Sequence, residues 1–214
     1  LQHGVVTSPV SGREISLKDF VITGIPKENF QGWIGGPIVG RGNFMPTYVT
    51  GLDKDTGQGE RAVVHFTTGA QGFIIEIDTQ TGRLEVLKAV SAFDVGKAIN
   101  PDLVRSQIEG GMVQGISSAI FEQLVFKEGI LQNPNFVDYR IATTTDTPRE
   151  MEAHYVEVAQ DDGPFGARGI GEHPMVPTIA AIANAIHDAV GVRLAGPPFT
   201  AEKLYFAIKQ TNQD

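Results

Sequence analysis

A glycine-rich segment at residues 163–174 carries one carboxylate, Glu172, where a helical pattern begins. Its twelve residues include four glycines and two prolines, which predict a backbone that turns sharply and lets another group approach closely. A carboxylate held in this way could act as a catalytic base. It could also cap the helix, because the helix dipole stabilises negative charge at its start. The residues alone favour capping and leave both interpretations open.

A second candidate surface lies on a helix predicted over roughly residues 101–123. Apolar residues recur at every fourth position and predict a face toward the core: Val104, Ile108, Met112, Ile116 and Ile120. A second stripe holds small or amide side chains: Gln107, Gly110, Gly111, Gln114, Gly115 and Ser118. Each interior glycine costs about 0.5–1 kcal/mol relative to alanine, so three of them indicate a close approach. The pattern favours tight helix packing, and the alternative is a large polar ligand bound by Gln107 or Gln114.

Other common site chemistries find no support in the spacing. The five histidines are scattered without metal-ligand spacing, so we predict no protein-ligated metal. The glycines of residues 166–171 stand in the wrong order for a dinucleotide fingerprint, and a P-loop's lysine is absent. A Ser-His-Asp triad cannot be assembled, and a calcium loop beginning at Asp53 would lack its twelfth-position glutamate.

Composition narrows the class of partner. The 214 residues carry a net charge of −8 with a pI near 5.1, which argues against nucleic-acid and anionic-membrane surfaces. The chain has no cysteine, so it holds no disulfide and no iron–sulfur cluster of its own. It lacks a signal-peptide pattern and an apolar run of about 18 residues. We expect a cytoplasmic protein that is a processed piece or fragment of something longer.

The elements around these candidates follow from local patterns. Ala62–Phe66 and residues 72–78 are predicted strands, and residues 84–90 return from the second to form a hairpin. Residues 151–158 alternate as a further strand. The last long helix is predicted over residues 174–190, with Gly191 at its C-terminal end. One domain over residues 1–214 is expected, and residues 1–60 are the least readable.

Three segments in series resemble a known family. They are residues 93–101 running into 107–115, residues 135–139 with 146–148, and residues 169–172. Together they are similar to the C-terminal molybdenum-binding region of the molybdenum hydroxylases, the xanthine dehydrogenase and aldehyde oxidoreductase family. The resemblance spans about residues 60–195. It implies an α+β fold with mixed sheets and packed helices, equivalent to the C-terminal half of a molybdopterin-binding region.

The resemblance also implies roles for individual residues. Glu172 matches the family's active-site glutamate, and Gln107 matches the helix glutamine that contacts the pyranopterin. Glycines of the helix and loop would let backbone approach the cofactor, which gives this set of cofactor-binding residues: Gln107, Gly110, Gly111, Gln114, Gly169 and Gly171. His173 stands where relatives commonly have small or proline residues, so solvent access near Glu172 is predicted to differ.

The implied activity is hydroxylation of a small aldehyde or N-heterocycle with water-derived oxygen. Glu172 would take the proton from a metal-bound hydroxide of a molybdenum-pyranopterin, for which a cytosine dinucleotide is one form. Flavin (FAD) and 2Fe–2S centres would lie on other domains or subunits, beside the remaining half of the molybdopterin-binding region. Alone, the chain is expected to be inactive. A non-catalytic scaffold or assembly paralogue is the alternative, and the presence of both Gln107 and Glu172 argues against it.

Overall fold

The computed structural model describes residues 4–7, 10, 12–22, 25–26, 33–34, 41–42 and 46–211. The chain divides into two compact units, Leu1–Val64 and His65–Asp214. Each unit is described by itself below. The expectation of a single domain over residues 1–214 stays a prediction.

The first unit contains short elements. Strand β1 (Val5–Thr7) pairs antiparallel with β2 (Glu14–Ser16), helix α1 (Leu17–Ile22) follows, and β3 (Ile25–Pro26) pairs antiparallel with β4 (Trp33–Ile34). The predicted strand at Ala62–Phe66 is wrong, because residues 61–68 form bends and irregular backbone. Val63 and Phe66 stay exposed, and no described strand pairs with this run, so its β-branched side chains lack the cross-strand neighbours that stabilise a strand.

A three-stranded mixed sheet forms the centre of the second unit. Strand β5 (Gly69–Ile77) pairs antiparallel with β6 (Leu84–Asp94), which pairs in parallel with a late strand, Glu150–Val156. The predicted hairpin is therefore confirmed. Its turn needs glycine at Gly82, whose φ is +73° and whose absent Cβ would lie 2.0 Å from the carbonyl oxygen of Ala201.

Helix α2 (Pro101–Ile120) packs on this sheet. The Asn100 side chain caps it by accepting a hydrogen bond from the Leu103 amide at 3.1 Å, and proline occupies the first turn, as helix starts favour. Four members of the predicted stripe are buried: Val104, Ile108, Met112 and Ile116. The core face of this helix is confirmed.

Helix α3 (Thr178–Val190) begins four residues later than predicted, because a 3₁₀ turn, His173–Met175, occupies the preceding segment. It ends at Gly191, whose φ of +71° and amide hydrogen bond to the His187 carbonyl close the helix as predicted. Helix α4 (Ala201–Thr211) escaped sequence prediction, although Leu204 and Ile208 point into the core.

The remaining strands form a small hairpin, β7 (Phe126–Lys127) with β8 (Ile130–Leu131), and Glu150–Val156 is β9. Two apolar clusters fill the second unit. One lies among α2, α3 and α4, and the other lies between β6 and the first half of α2. Helices packed on a mixed sheet confirm the α+β prediction. Among the described helices none is both long and apolar enough for a membrane span.

Candidate cofactor-facing site

The structure brings two predicted site residues into direct contact. Gln114 lies on α2 and Glu172 lies 58 positions further along the chain, yet the Gln114 Nε2 donates to Glu172 Oε1 at 2.8 Å. Both residues are exposed. The second carboxylate oxygen, Oε2, receives no hydrogen bond from the described part of the chain. The hydrogen bond therefore orients the carboxylate while leaving one oxygen able to accept a proton.

Glu172 does not cap a helix. It stands immediately before the 3₁₀ turn at His173–Met175, but its side chain makes no capping hydrogen bond. Helix α3 begins only at Thr178, too far for the dipole of its first turn to stabilise the carboxylate strongly. The capping interpretation, favoured by the residues alone, is wrong.

Two glycines of α2 allow the Glu172 segment to lie against the helix. A Cβ at Gly111 would lie 2.8 Å from the Pro174 Cβ, and a Cβ at Gly115 would lie 2.4 Å from the Thr178 Cβ. Both glycines are buried. For these two positions the close approach comes from packing within the chain, and a cofactor contact at Gly111 stays a prediction.

The other predicted glycines face open space. A Cβ at Gly110, Gly169 or Gly171 would meet no atom within 4 Å. Gln107 is exposed two helical turns before Gln114, and it lines a hollow of about 300 Å³ with Arg168 and Ile170. We call the side of α2 that carries Gln107, Gly110 and Gln114, together with Gly169, Gly171 and Glu172, the amide face of α2.

A buried polar network behind Glu172 was missed by sequence reasoning. Thr178 Oγ1 donates to Gln71 Oε1 at 2.7 Å, and Gln71 Nε2 donates to the Pro174 carbonyl and to Ser91 Oγ. Thr178 and Ser91 are almost fully buried, so these bonds form away from water, where an unmade bond is costly. The network fixes the turn after Glu172 to strand β5. The sequence signal was Gln71, a polar residue in a strand whose other polar side chain is Glu76.

A second anchor holds the glycine-rich loop before Glu172. Arg168 Nη1 lies 3.0 Å from Asp94 Oδ2, and both side chains are mostly buried. Asp94 Oδ1 also accepts the Gly96 amide at 3.0 Å, and the Arg168 amide donates to the Val95 carbonyl. The loop is thereby attached to the end of β6, which restricts where Glu172 can lie.

His173 sits on the inner side of this turn. Its ring meets Phe93 edge-on, with 5.9 Å between centroids, and its Nε2 is buried with no hydrogen-bond partner among the described residues. Burial, and secondarily the charge of His65, hold the His173 pKa below its usual value. We therefore assign the neutral imidazole next to Glu172.

Comparison with known protein families agrees with this fold and with the geometry of the site. Residues 2–148 match the family described as Molybdopterin cofactor-binding domain. The chain belongs to this family, and the prediction of a molybdenum hydroxylase relative is confirmed. Glu172 lies beyond the matched range, so its role stays a prediction.

Three relatives illustrate the similarity. The xanthine dehydrogenase molybdenum-binding subunit of Escherichia coli O157:H7 is 34% identical over 61% of this chain and 18% of its own length. Aldehyde oxidoreductase of Megalodesulfovibrio gigas is 34% identical over 78% of this chain and 18% of its own length. The crystal structure of quinoline 2-oxidoreductase from Pseudomonas putida superposes with a TM-score of 0.63 at 30% identity, covering 67% of this chain and 19% of that one. The chain thus spans under a fifth of these relatives.

The amide face suits a large polar cofactor. At Gly110 a side chain would fill space that the backbone leaves open. Gln107 offers an amide for which no protein hydrogen bond is present in the described structure, and an amide both donates and accepts. A pyranopterin, with ring nitrogens and carbonyls, needs such partners.

Proposed function

We propose that this chain is part of a molybdenum-pterin oxidoreductase that hydroxylates an aldehyde or N-heterocycle with oxygen from water. The observation that carries the proposal is the 2.8 Å hydrogen bond between Gln114 and Glu172. It joins the helix predicted to contact the cofactor to the carboxylate predicted to act as base. The family match supports the cofactor, and the carboxylate geometry supports the base.

Gln107 and Gln114 would bind the pterin edge, and Gly110, Gly169 and Gly171 would let it approach the backbone. Gln107 lies at the end of the amide face nearest Arg168 and Ile170, with which it shares a hollow. Gln114 lies at the end nearest Glu172. The pterin would therefore lie along the helix, with its reactive end toward Glu172.

When bound, the molybdenum-pterin accepts the two electrons of hydroxylation and increases the acidity of water in the site. Overall, the substrate C–H and one water give a C–OH group, two protons and two electrons. Glu172 Oε2 takes up the proton released by the water-derived nucleophile. Gln114 holds Oε1, so the carboxylate does not rotate away as its charge changes.

The proposal includes partners outside this chain. Electrons would leave through 2Fe–2S and FAD centres on other domains or subunits, since the chain has no cysteine for a cluster. The remaining half of the molybdopterin-binding region would complete the pocket around the pterin, for which a cytosine dinucleotide is one form. The assembly would work in the cytoplasm.

The test is Glu172→Gln in the intact enzyme that contains this chain. Glutamine keeps the shape and loses the base, so turnover is expected to fall by about 10²–10⁴-fold with molybdenum content unchanged. Glu202→Gln, at an exposed position on α4, is the matched control and should keep wild-type turnover. Full activity in the Glu172 variant would refute the base assignment. A wild-type protein without molybdenum would instead favour the scaffold alternative.

A further inference from the structure

An exposed apolar surface lies beside the C-terminal end of α2, away from the residues assigned above. Six large side chains between residues 124 and 141 are 49–82% exposed, which is unusual for so short a stretch: Leu124, Phe126, Ile130, Phe136, Val137 and Ile141. We call them the 124–141 surface.

The surface has two adjoining parts. One is the β7–β8 hairpin, in which Phe126 pairs with Leu131. The other is a hollow of about 450 Å³ lined by Phe121, Phe136, Val137 and Ile141 among others. Residues 121–123 connect the two parts, since Phe121 lines the hollow and the Gln123 carbonyl accepts a hydrogen bond from the Asn133 side-chain amide at 2.6 Å.

Buried polar bonds hold the surface in shape. Asn133, only 7% exposed, bridges the base of the hairpin by accepting the Val125 amide at 2.9 Å and donating to Gln123. Behind the hollow, Tyr139 donates its hydroxyl to Glu122, and the Ala142 amide donates to the buried Ser117 at 2.9 Å. A preorganised apolar surface loses little conformational entropy on binding, so more of its burial contributes to affinity.

The length of the relatives indicates which partner covers the 124–141 surface. The matched relatives extend over more than five times the aligned length, since the alignments cover 18% of them. An apolar surface of this kind resembles a core cut in half, as in obligate interfaces. Resting on the proposed function, we propose that the 124–141 surface is where the rest of the molybdenum-binding subunit packs onto this chain.

The test uses a photoreactive benzophenone residue in the intact enzyme, placed at Val137, with Phe206 on α4 as the matched exposed control. After irradiation, the Val137 probe is expected to link to subunit residues outside residues 1–214. The Phe206 probe should not link to those same peptides. The proposal would be overturned if Val137 linked only to a second copy of the chain, which an isotope-mixed sample would identify. It would also be overturned if Val137 linked only to a flavin or iron–sulfur subunit. Absence of links would overturn it as well.

A second test places a charged side chain in the 124–141 surface and measures assembly of the enzyme. Phe136→Asp and Val137→Asp change side chains that are exposed in this chain, so they should not disturb its own folding. Both variants are expected to lose most of the assembled molybdenum-containing enzyme, whereas Phe206→Asp should assemble normally. Normal assembly of both variants would contradict the proposal. Because the Glu172→Gln test reads turnover in assembled enzyme, failure of the proposed function and failure of this interface are distinguishable.

Discussion

The hydrogen bond from Gln114 assigns different roles to the two oxygens of Glu172. Oε1 is held at 2.8 Å by the amide, and Oε2 has no hydrogen-bond partner among the described residues. A base is effective when its accepting oxygen is fixed toward the proton it removes. Gln114 would therefore act on catalysis through Glu172 as well as through the cofactor.

Two glutamine variants should separate these roles. Gln114→Leu removes a hydrogen bond to a charged group, worth about 1.5–3 kcal/mol, so turnover per molybdenum should fall roughly 10–100-fold. Gln107→Leu, on the same face two turns earlier, should chiefly lower molybdenum content and leave turnover per molybdenum near wild type. Metal analysis beside steady-state kinetics checks both. Equal effects of the two variants on turnover per molybdenum would argue against the assignment.

His173 makes a prediction about pH. Its imidazolium is disfavoured in the folded chain, mainly by burial, so its pKa lies below the usual 6.5. The unfolded chain therefore binds the proton more readily than the folded chain does. As a result, the contribution of neutral His173 to the free energy of unfolding is present above the usual pKa and is lost as the pH falls below it. His173→Gln should therefore reduce the drop in unfolding temperature between about pH 7.5 and pH 5.5. An unchanged drop in the His173 variant would count against a buried neutral ring.

At the scale of elements, α2 uses its glycines on two different sides. Gly111 and Gly115 face Pro174 and Thr178 closely enough to exclude a methyl group, whereas Gly110 faces open space. Helix propensity penalises all three alike, so only their surroundings explain why they are present. Packing within the chain accounts for two of them, and the third fits the cofactor proposal.

Two alanine variants test this division. Gly115→Ala places a methyl group 2.4 Å from the Thr178 Cβ, so it should destabilise the protein by about 1–3 kcal/mol through overpacking. Gly110→Ala should stabilise the cofactor-free protein by about 0.5–1 kcal/mol and yet lower molybdenum content. Denaturant unfolding and metal analysis measure the two effects. Normal molybdenum loading of the Gly110 variant would remove that residue from the cofactor face.

At the scale of the whole molecule, the features that could be predicted from the sequence are those formed by residues close together along the chain. The β5–β6 hairpin, the core stripe of α2 and the Gly191 helix end follow from patterns within twenty residues, and the structure confirms them. Contacts such as Gln71 with Thr178 join positions 107 apart, and a single sequence carries no local signal for them. The wrong strand at Ala62–Phe66 has the same cause, because a strand needs a partner that composition does not supply.

The amide face also explains why the isolated chain should be inactive. Gln107, Gly110, Gln114 and Glu172 are all exposed and lie on one side of α2, so water would reach both the cofactor and the carboxylate. Catalysis of this kind needs an enclosed site in which electrostatic interactions are not weakened by solvent. Residues 1–214 produced alone, shown to be folded by circular dichroism and supplied with molybdenum-pterin, should give no turnover with aldehydes or N-heterocycles. The intact enzyme, assayed in parallel, should give turnover, and activity of the isolated chain would mean that this single face is sufficient.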